Sequence, residues 1–341
     1  MSTPGSSTRS GSRSSNPEYV TARVRARRVA LFGDDEYSKL VRMGPAEIAR
    51  YMEESEYERE INELGTRHSG VDLIEYALNR NLARHFDALL DFAEGQLYDL
   101  IARYLRKFDA WNAKTVIRGV YTDTDNEAIE TDLIRAGEFD DALVARLLES
   151  GTVEDVVTTL NDTIFGDVVD DAFEDFQESD TLVPLENAID RAFYEQLLTE
   201  LPTGEAVGLY REFLEAEIDF RNARNALRLA RSGADIDPGG YFIEGGRLFS
   251  ASEMTTLVAN TDELVTRIRE SIYGDQLSEA LEELEAADSL IDFERALESA
   301  LLRYSQQLGN VHPLSISPIV AYILMKEREV TNIRAIARGR E

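Results

Sequence analysis

The chain has 341 residues, 43% of them apolar, with 8 prolines and no cysteine. That length exceeds one typical domain and suits several packed units of roughly 100 residues, and the absence of cysteine excludes disulfides, thiolate nucleophiles and cysteine-held metals while favouring a reducing, cytoplasmic compartment. The 65 acidic residues against 36 basic ones leave a net charge of -29, which argues against nucleic acid as a partner because phosphate repulsion outweighs any local basic patch.

Only four basic residues are lysine, at Lys39, Lys107, Lys114 and Lys326. An arginine-biased, acid-loaded surface is the signature of a salt-rich cytoplasm, where the Debye length falls to roughly 3 Å and self-repulsion is screened. The sequence therefore reads as a halophile protein that loses stability in dilute buffer.

In chain order, residues 1–16 hold seven serines with Thr, Gly, Pro and Arg, and they read as a disordered tail with no apolar stretch for a signal peptide. A short amphipathic segment ends at Tyr57. Leu78, Leu82, Phe86, Leu90, Ala93, Leu97, Ile101, Leu105 and Phe108 then recur at helical spacing, predicting a long helix or two in line, with Gly95 as the available break. Asp109, Asn112, Lys114 and Arg118 follow, and Gly119 reads as a C-cap after a cationic last turn.

A second short segment ends at Phe165. Asp170, Asp171, Glu174 and Asp175 place carboxylates one turn apart, the one feature suited to holding Mg²⁺ for prenyl-diphosphate chemistry. The second metal motif of such an enzyme would start at Asn161-Asp162, but the hydroxyl residue needed four positions on is Phe165, and in a chain this acidic such runs are usually solvated faces. Pro202 and Gly204 break the next helical run before Asp219, Asn222, Arg224 and Arg228. Residues 239–246, Gly-Gly-Tyr-Phe-Ile-Glu-Gly-Gly, suit a loop or small hairpin.

The third passage repeats the order: Tyr273, a helical run broken near Gly309 and Pro313, then Glu329, Asn332, Arg334 and Arg338, with Gly339 as C-cap. Ile316 to Met325 is too short to span a membrane. His68, His85 and His312 are far apart and lack the Glu spacing of bundle metal sites, and no phosphate-cradling GxxxxGK[ST] loop is present. No cofactor is indicated.

The signature (Asp/Glu)-x-x-Asn-x-(Lys/Arg)-x-x-x-Arg thus appears three times, starting at residues 109, 219 and 329, each 110 after the last. Tyr57, Phe165 and Tyr273 recur 108 apart, and Ala77-Leu78-Asn79-Arg80, Ala188-Ile189-Asp190-Arg191 and Ala296-Leu297-Glu298-Ser299 precede each signature by 32, 31 and 33. One structural unit used three times is the reading. After the tail, units 17–119, 120–232 and 233–341 are expected as homologous all-α bundles, set around a pseudo-threefold axis or as an open arc. On a helix the Asp/Glu and Asn share one face and the two basic residues form a second stripe. The acids and amides (Asp109, Asn112, Asp219, Asn222, Glu329, Asn332) are expected to be structural. The basic pairs Lys114/Arg118, Arg224/Arg228 and Arg334/Arg338 either neutralise helix ends and local carboxylates or face a common partner.

Pro313-Leu314-Ser315-Ile316-Ser317-Pro318, Tyr322 and Lys326-Glu327-x-Glu329-x-x-Asn332-Ile333-Arg334-x-Ile336-x-Arg338-Gly339 resemble the C-terminal signature of the C subunits of archaeal A-type ATP synthases, a family related to the d subunits of vacuolar ATPases. Tyr19-Val20-x-Ala22-Arg23-Val24-Arg25 and Phe108-Asp109-x-Trp111-Asn112-x-Lys114-Thr115-x-Ile117-Arg118-Gly119 extend the resemblance. It implies a non-catalytic central-stalk adaptor, a funnel of three bundles. One side would meet the membrane ring of ion-carrying subunits on the cytoplasmic face, and the other would receive the rotor shaft subunits; the six basic residues are then candidates for contacting the shaft. A Mg²⁺-dependent all-α enzyme and an unrelated helical repeat scaffold are the alternatives.

Overall fold

The computed structural model describes residues 14–203, 205–232, 237–287 and 290–340, and these are all-α, without strands. In chain order the helices are α1 (Pro17–Arg28), α2 (Asp34–Leu40), α3 (Pro45–Glu53), α4 (Glu58–Leu64), α5 (Gly70–Phe92), α6 (Gln96–Leu105), α7 (Lys107–Tyr121), α8 (Asn126–Asp132), α9 (Asp141–Leu148) and α10 (Val153–Leu160). There follow α11 (Gly166–Ser179), α12 (Val183–Thr199), α13 (Glu205–Ser232), a 3-10 turn (Pro238–Tyr241), α14 (Ala251–Leu257), α15 (Thr261–Arg269), α16 (Gly274–Ala287), α17 (Leu290–Val311) and α18 (Ser317–Arg338).

Two compact units emerge: Met1–Asp162 joined by Pro318–Glu341, and Thr163–Ser317. The first is built on α5, whose Ile74, Leu78, Phe86 and Leu89 are fully buried at the i, i+4 spacing of an inward stripe. Phe86 stacks on Phe108 of α7 at 5.3 Å, and Val20 and Val24 of α1 are buried as well. In the second unit Ala216, Phe220, Ala223 and Leu227 make one stripe of α13, packed with Met254, Leu264, Ile268, Leu277, Leu281, Phe293 and Leu297 in a single core.

Short helices are marginal by themselves, so their ends matter. Asp140 accepts Leu143 N–H to cap α9, Thr152 and Asp155 form a capping box on α10, Ser250 and Glu253 form another on α14, and Asn260 caps α15. At α2 and α3 the glutamates Glu36 and Glu47 reach back to Gly33 and Gly44 N–H. A pair of end-capped short helices therefore precedes each passage of longer ones.

The expected breaks fall where the punctuating residues stand, with two refinements. Gly95 adopts φ +58° between α5 and α6, and Pro202 follows the end of α12, while Gly204 lies outside the described residues. In the third passage Gly309 is helical, and the interruption comes after Val311, before Pro313. Gly119 is not a C-cap: α7 runs on to Tyr121, and a Cβ at Gly119 would collide with Ile129 of α8, so the missing side chain serves close packing. Gly339 does follow the last turn of α18, its N–H bonded to Ala335 O at 3.0 Å. Residues 239–246 form the 3-10 turn and a loop, not a hairpin. Of the expected tail, 1–13 lie outside the described residues, whereas Ser15 and Asn16 are fastened: Ser15 Oγ accepts Leu97 N–H, and the Asn16 amide joins Phe92 O and Glu94 N.

Candidate functional site

The repeated polar residues form clamps. On α7, Asp109 and Asn112 are each 2% exposed, one turn apart on the same face. The Asp109 carboxylate accepts Glu138 N–H at 2.8 Å and Phe139 N–H at 3.0 Å, while the Asn112 amide donates to Ile134 O and accepts Ile134 N–H, both at 2.8 Å. On α13 the same pair repeats: Asp219 accepts Arg247 and Leu248 N–H at 2.8 Å, and Asn222 exchanges two bonds with Ile243 at 2.8 and 3.0 Å. An amide side chain alone offers donor and acceptor together, and so closes a ring with one peptide unit. The backbone comes so close that a Cβ at Gly137 would strike Asp109 Oδ1, and one at Gly246 would strike Asp219 Oδ1.

The third clamp, on α18, reaches the other end of the chain. Glu329 lies beside Phe32 and Tyr57, and Asn332 beside Tyr37, while Glu329 Oε1 is buried with no hydrogen-bond partner among the described residues. The first two clamps therefore hold the loop that leads into a pair of short helices, and the third signature stands beside the corresponding loop near the N-terminus. The hydrogen-bonded partner of Glu329 is Lys326, whose Nζ donates to Tyr57 Oη at 3.0 Å and to Glu329 Oε2 at 3.2 Å, with no exposed surface on the lysine. Burial pushes Glu329 up and Lys326 down in pKa, each opposed by the other's charge.

Two of the aromatic landmarks stand beside clamp acids. Tyr273 lies beside Asp219 as Tyr57 lies beside Glu329, whereas Phe165 has no hydroxyl to offer. Burial pushes Asp109 up to about 6 against its two backbone N–H donors. Nearer the start of α18, Tyr322 Oη lies 2.6 Å from His85 Nδ1, and Arg27 Nη1 lies 3.3 Å from the same atom. Burial, with Lys326, Arg27 and Arg84 nearby, pulls His85 down to about 2.

The basic stripe behaves alike in the copies. Lys114, Arg224 and Arg334 are half-buried; Arg118, Arg228 and Arg338 are exposed. Arg228 grips Glu294 of α17 with two bonds of 2.5 and 2.6 Å. Arg338 takes Glu75 of α5 with both ends of its guanidinium, and Arg334 Nη2 donates to Asn79 Oδ1 at 2.5 Å. Arg224 is pushed down to about 10 by burial, and its Nε finds no acceptor. Just before the stripe, Lys107 of α7 pairs with Glu327 of α18 at 2.7 Å, joining two signature helices at positions two before their acids. The sequence reading missed Glu75 and Glu294. Their signal is present, since a Glu stands two residues before the repeated Ala in all three copies, as Glu75, Glu186 and Glu294.

None of this is an assembly for bond-breaking chemistry. Asp170, Asp171, Glu174 and Asp175 lie exposed on α11, not facing inward across a cavity as a diphosphate enzyme needs. Among the described residues no group of three or more His, Asp or Glu is arranged to hold a metal ion, and no helix is long and apolar enough to cross a membrane. His68 stacks on Tyr76 at 4.3 Å and His312 is exposed.

Residues 20–341 match the family described as ATP synthase (C/AC39) subunit. The chain is 70% identical over 327 residues to the A-type ATP synthase C subunit of Haloferax volcanii, covering 96% of this chain and 94% of that one. It is 66% identical to the corresponding C subunit of Haloquadratum walsbyi, covering 96% and 95%, and 36% identical to that of Methanococcoides burtonii, covering 98% and 93%. A match over nearly the whole length, including the signature helices, leaves no room for an unrelated scaffold: the chain belongs to the ATP synthase (C/AC39) subunit family, non-catalytic subunits of the ATP synthase complex.

Proposed function

We propose that the protein is the central-stalk adaptor of an A-type ATP synthase, peripheral on the cytoplasmic face of the membrane. Its three repeats would form the walls of a funnel that receives the rotor shaft subunits and rests on the membrane ring of ion-carrying subunits. The observation that carries this reading is the repeated clamp, in which the buried pairs Asp109/Asn112 and Asp219/Asn222 tie their signature helices to backbone loops and the buried Glu329 pairs with Lys326. Each charge crossing 100 mV releases ~2.3 kcal/mol, so several ions per synthesis step ask a stalk to transmit on the order of 10 kcal/mol through non-covalent contacts. Closely packed bundles whose loops are locked by buried hydrogen bonds yield little under such a load.

The test is coupling. Membrane vesicles lacking this chain should retain ATP hydrolysis by the head but lose ATP-driven ion uptake, and adding the chain back should restore uptake. Ion uptake that persists without the chain would refute the adaptor role. For the six basic residues, contact with the shaft is the proposal, and internal bracing is the second reading, favoured by the Arg228–Glu294 and Arg338–Glu75 pairs. Charge reversal at Lys114/Arg118 and Arg224/Arg228, followed by pull-down of the rotor shaft protein in high salt, separates them: unchanged binding means bracing.

A further inference from the structure

At helix α1 this acidic chain turns basic. The helix carries Arg23, Arg25, Arg27 and Arg28 against Glu18 alone. Val20, Thr21 and Val24 are its buried face. Arg23 and Arg27 fold back over the Phe92 ring at 5.2 and 5.1 Å. Arg25 and Arg28 do not: both are exposed and neither side chain has an ion pair or hydrogen bond among the described residues. Around them stand exposed Ala22 and Ala26, Tyr19 at 47% exposure and Val29 at 86%.

Repeat architecture does not account for this face. The segments leading into the other two clamped loops are α8, with the sequence NEAIETD, and the uncharged 3-10 turn PGGY. An arginine face present in one copy of three marks a contact made once.

We propose that the outward face of α1, centred on Arg25 and Arg28, docks a carboxylate-bearing segment of another subunit of the ATP synthase. The inference rests on the chain working within that complex. Charge complementarity selects the partner: two exposed guanidinium groups with no carboxylate of their own among the described residues call for carboxylates from outside the chain. At molar salt, with a Debye length of roughly 3 Å, long-range steering is lost and contact pairs remain. Arg suits these because its fork binds a carboxylate with two bonds. Val29 and Tyr19 add apolar contact. A lipid surface fits less well, since polybasic lipid-binding segments gather about 4–8 cations and this face offers two free ones.

The absence of cysteine makes the test clean. Ala22→Cys or Ala26→Cys, labelled with a benzophenone maleimide, is irradiated in the intact detergent-solubilised complex. The expected result is one cross-link to a different subunit, within a peptide rich in Asp and Glu, falling at least tenfold when Arg25→Glu and Arg28→Glu are added. Because neither arginine side chain has a partner among the described residues, that variant should stay folded, its melting point lowered only by the acids placed at the C-terminal turn of α1. A cross-link to a second copy of this chain overturns the inference, as does one to lipid only, with the purified chain floating on phosphatidylglycerol vesicles. A labelled chain that co-purifies with the complex yet gives no cross-link also overturns it, while leaving the adaptor reading intact.

Discussion

Lys326 and Tyr57 meet inside the protein, ammonium to hydroxyl at 3.0 Å, with the same ammonium 4.3 Å from the tyrosine ring centroid. The contact joins the last helix to the residue just before α4, and Glu329 completes it. A charge buried in this way is costly to strand. Lys326→Met should therefore destabilise the protein by about 3–5 kcal/mol, because Glu329 keeps its burial and loses its cation. Adding Glu329→Gln to that variant should recover a good part of the loss. Chemical denaturation at constant high salt measures both, and a double variant as unstable as the single one would show that the lysine acts through packing alone.

The amide clamps predict an order of severity. Asn112→Ala and Asn222→Ala each orphan a buried peptide N–H and C=O, at Ile134 and Ile243 respectively, and each should cost about 2–3 kcal/mol. Asn332 is only half-buried and lies beside the Tyr37 side chain, with no clamp bond to the backbone among the described residues, so Asn332→Ala should cost less. Gly137→Ala and Gly246→Ala should be damaging too, since the new Cβ meets the clamp carboxylate. Equal losses at all three asparagines would contradict the distinction between backbone and side-chain partners.

Two buried groups give opposite dependences on pH. His85, held at about 2 in the fold by burial, stays neutral while the unfolded chain takes up its proton near pH 6.5. Its contribution is complete above pH 6.5 and is lost as pH falls below it, by up to about 1.4 kcal/mol per pH unit. Asp109, raised to about 6 by burial, runs the other way. Its proton is held more tightly in the fold than in the unfolded chain, so stability falls as pH rises from about 4 to about 6 and is level above that. Unfolding free energies of His85→Gln and Asp109→Asn against pH, each set beside the parent, isolate the slopes. The histidine variant should lose less on acidification than the parent does, and parallel curves would reject the assignment.

The helical character is legible in the sequence, and so is the placing of the polar signature on helices, because both rest on spacing. An inward stripe at i, i+3, i+4 and a polar signature every 110 residues survive without knowledge of tertiary contacts. What the signature residues do is less legible. Asp109 and Asn112 read as polar residues sharing a helix face, but their partners are backbone atoms of 134–139, and any residue type supplies those. Only Gly137 and Gly246 hint at the close approach. Glu75 escaped notice for another reason: in a chain with 65 acids, one more glutamate on a helix carries little information until its repeat is aligned with Glu294. The Gly119 error has the same root, since a glycine after a basic turn suits a cap and a helix crossing alike, and Ile129 of α8 decides between them.

Salt should separate the interior brackets from the surface charges. With a net charge of -29, dilute buffer leaves the folded chain repelling itself, and molar KCl removes most of that repulsion. The unfolding midpoint should rise by ~10 °C or more between dilute and molar KCl, the shift that several kcal/mol produces in a protein of this size. The contributions should divide by burial. Arg228 and Glu294, with side chains 53% and 23% exposed, should couple by at most about 1 kcal/mol in a double-mutant cycle, and by less as salt is added. Lys326 and Glu329, 0% and 2% exposed, are out of reach of mobile ions, so the cost of Lys326→Met should stay nearly constant. A cost that shrank in step with the surface pair would mean that water and ions reach the clamp, and the rigid coupling inferred from it would lose its basis.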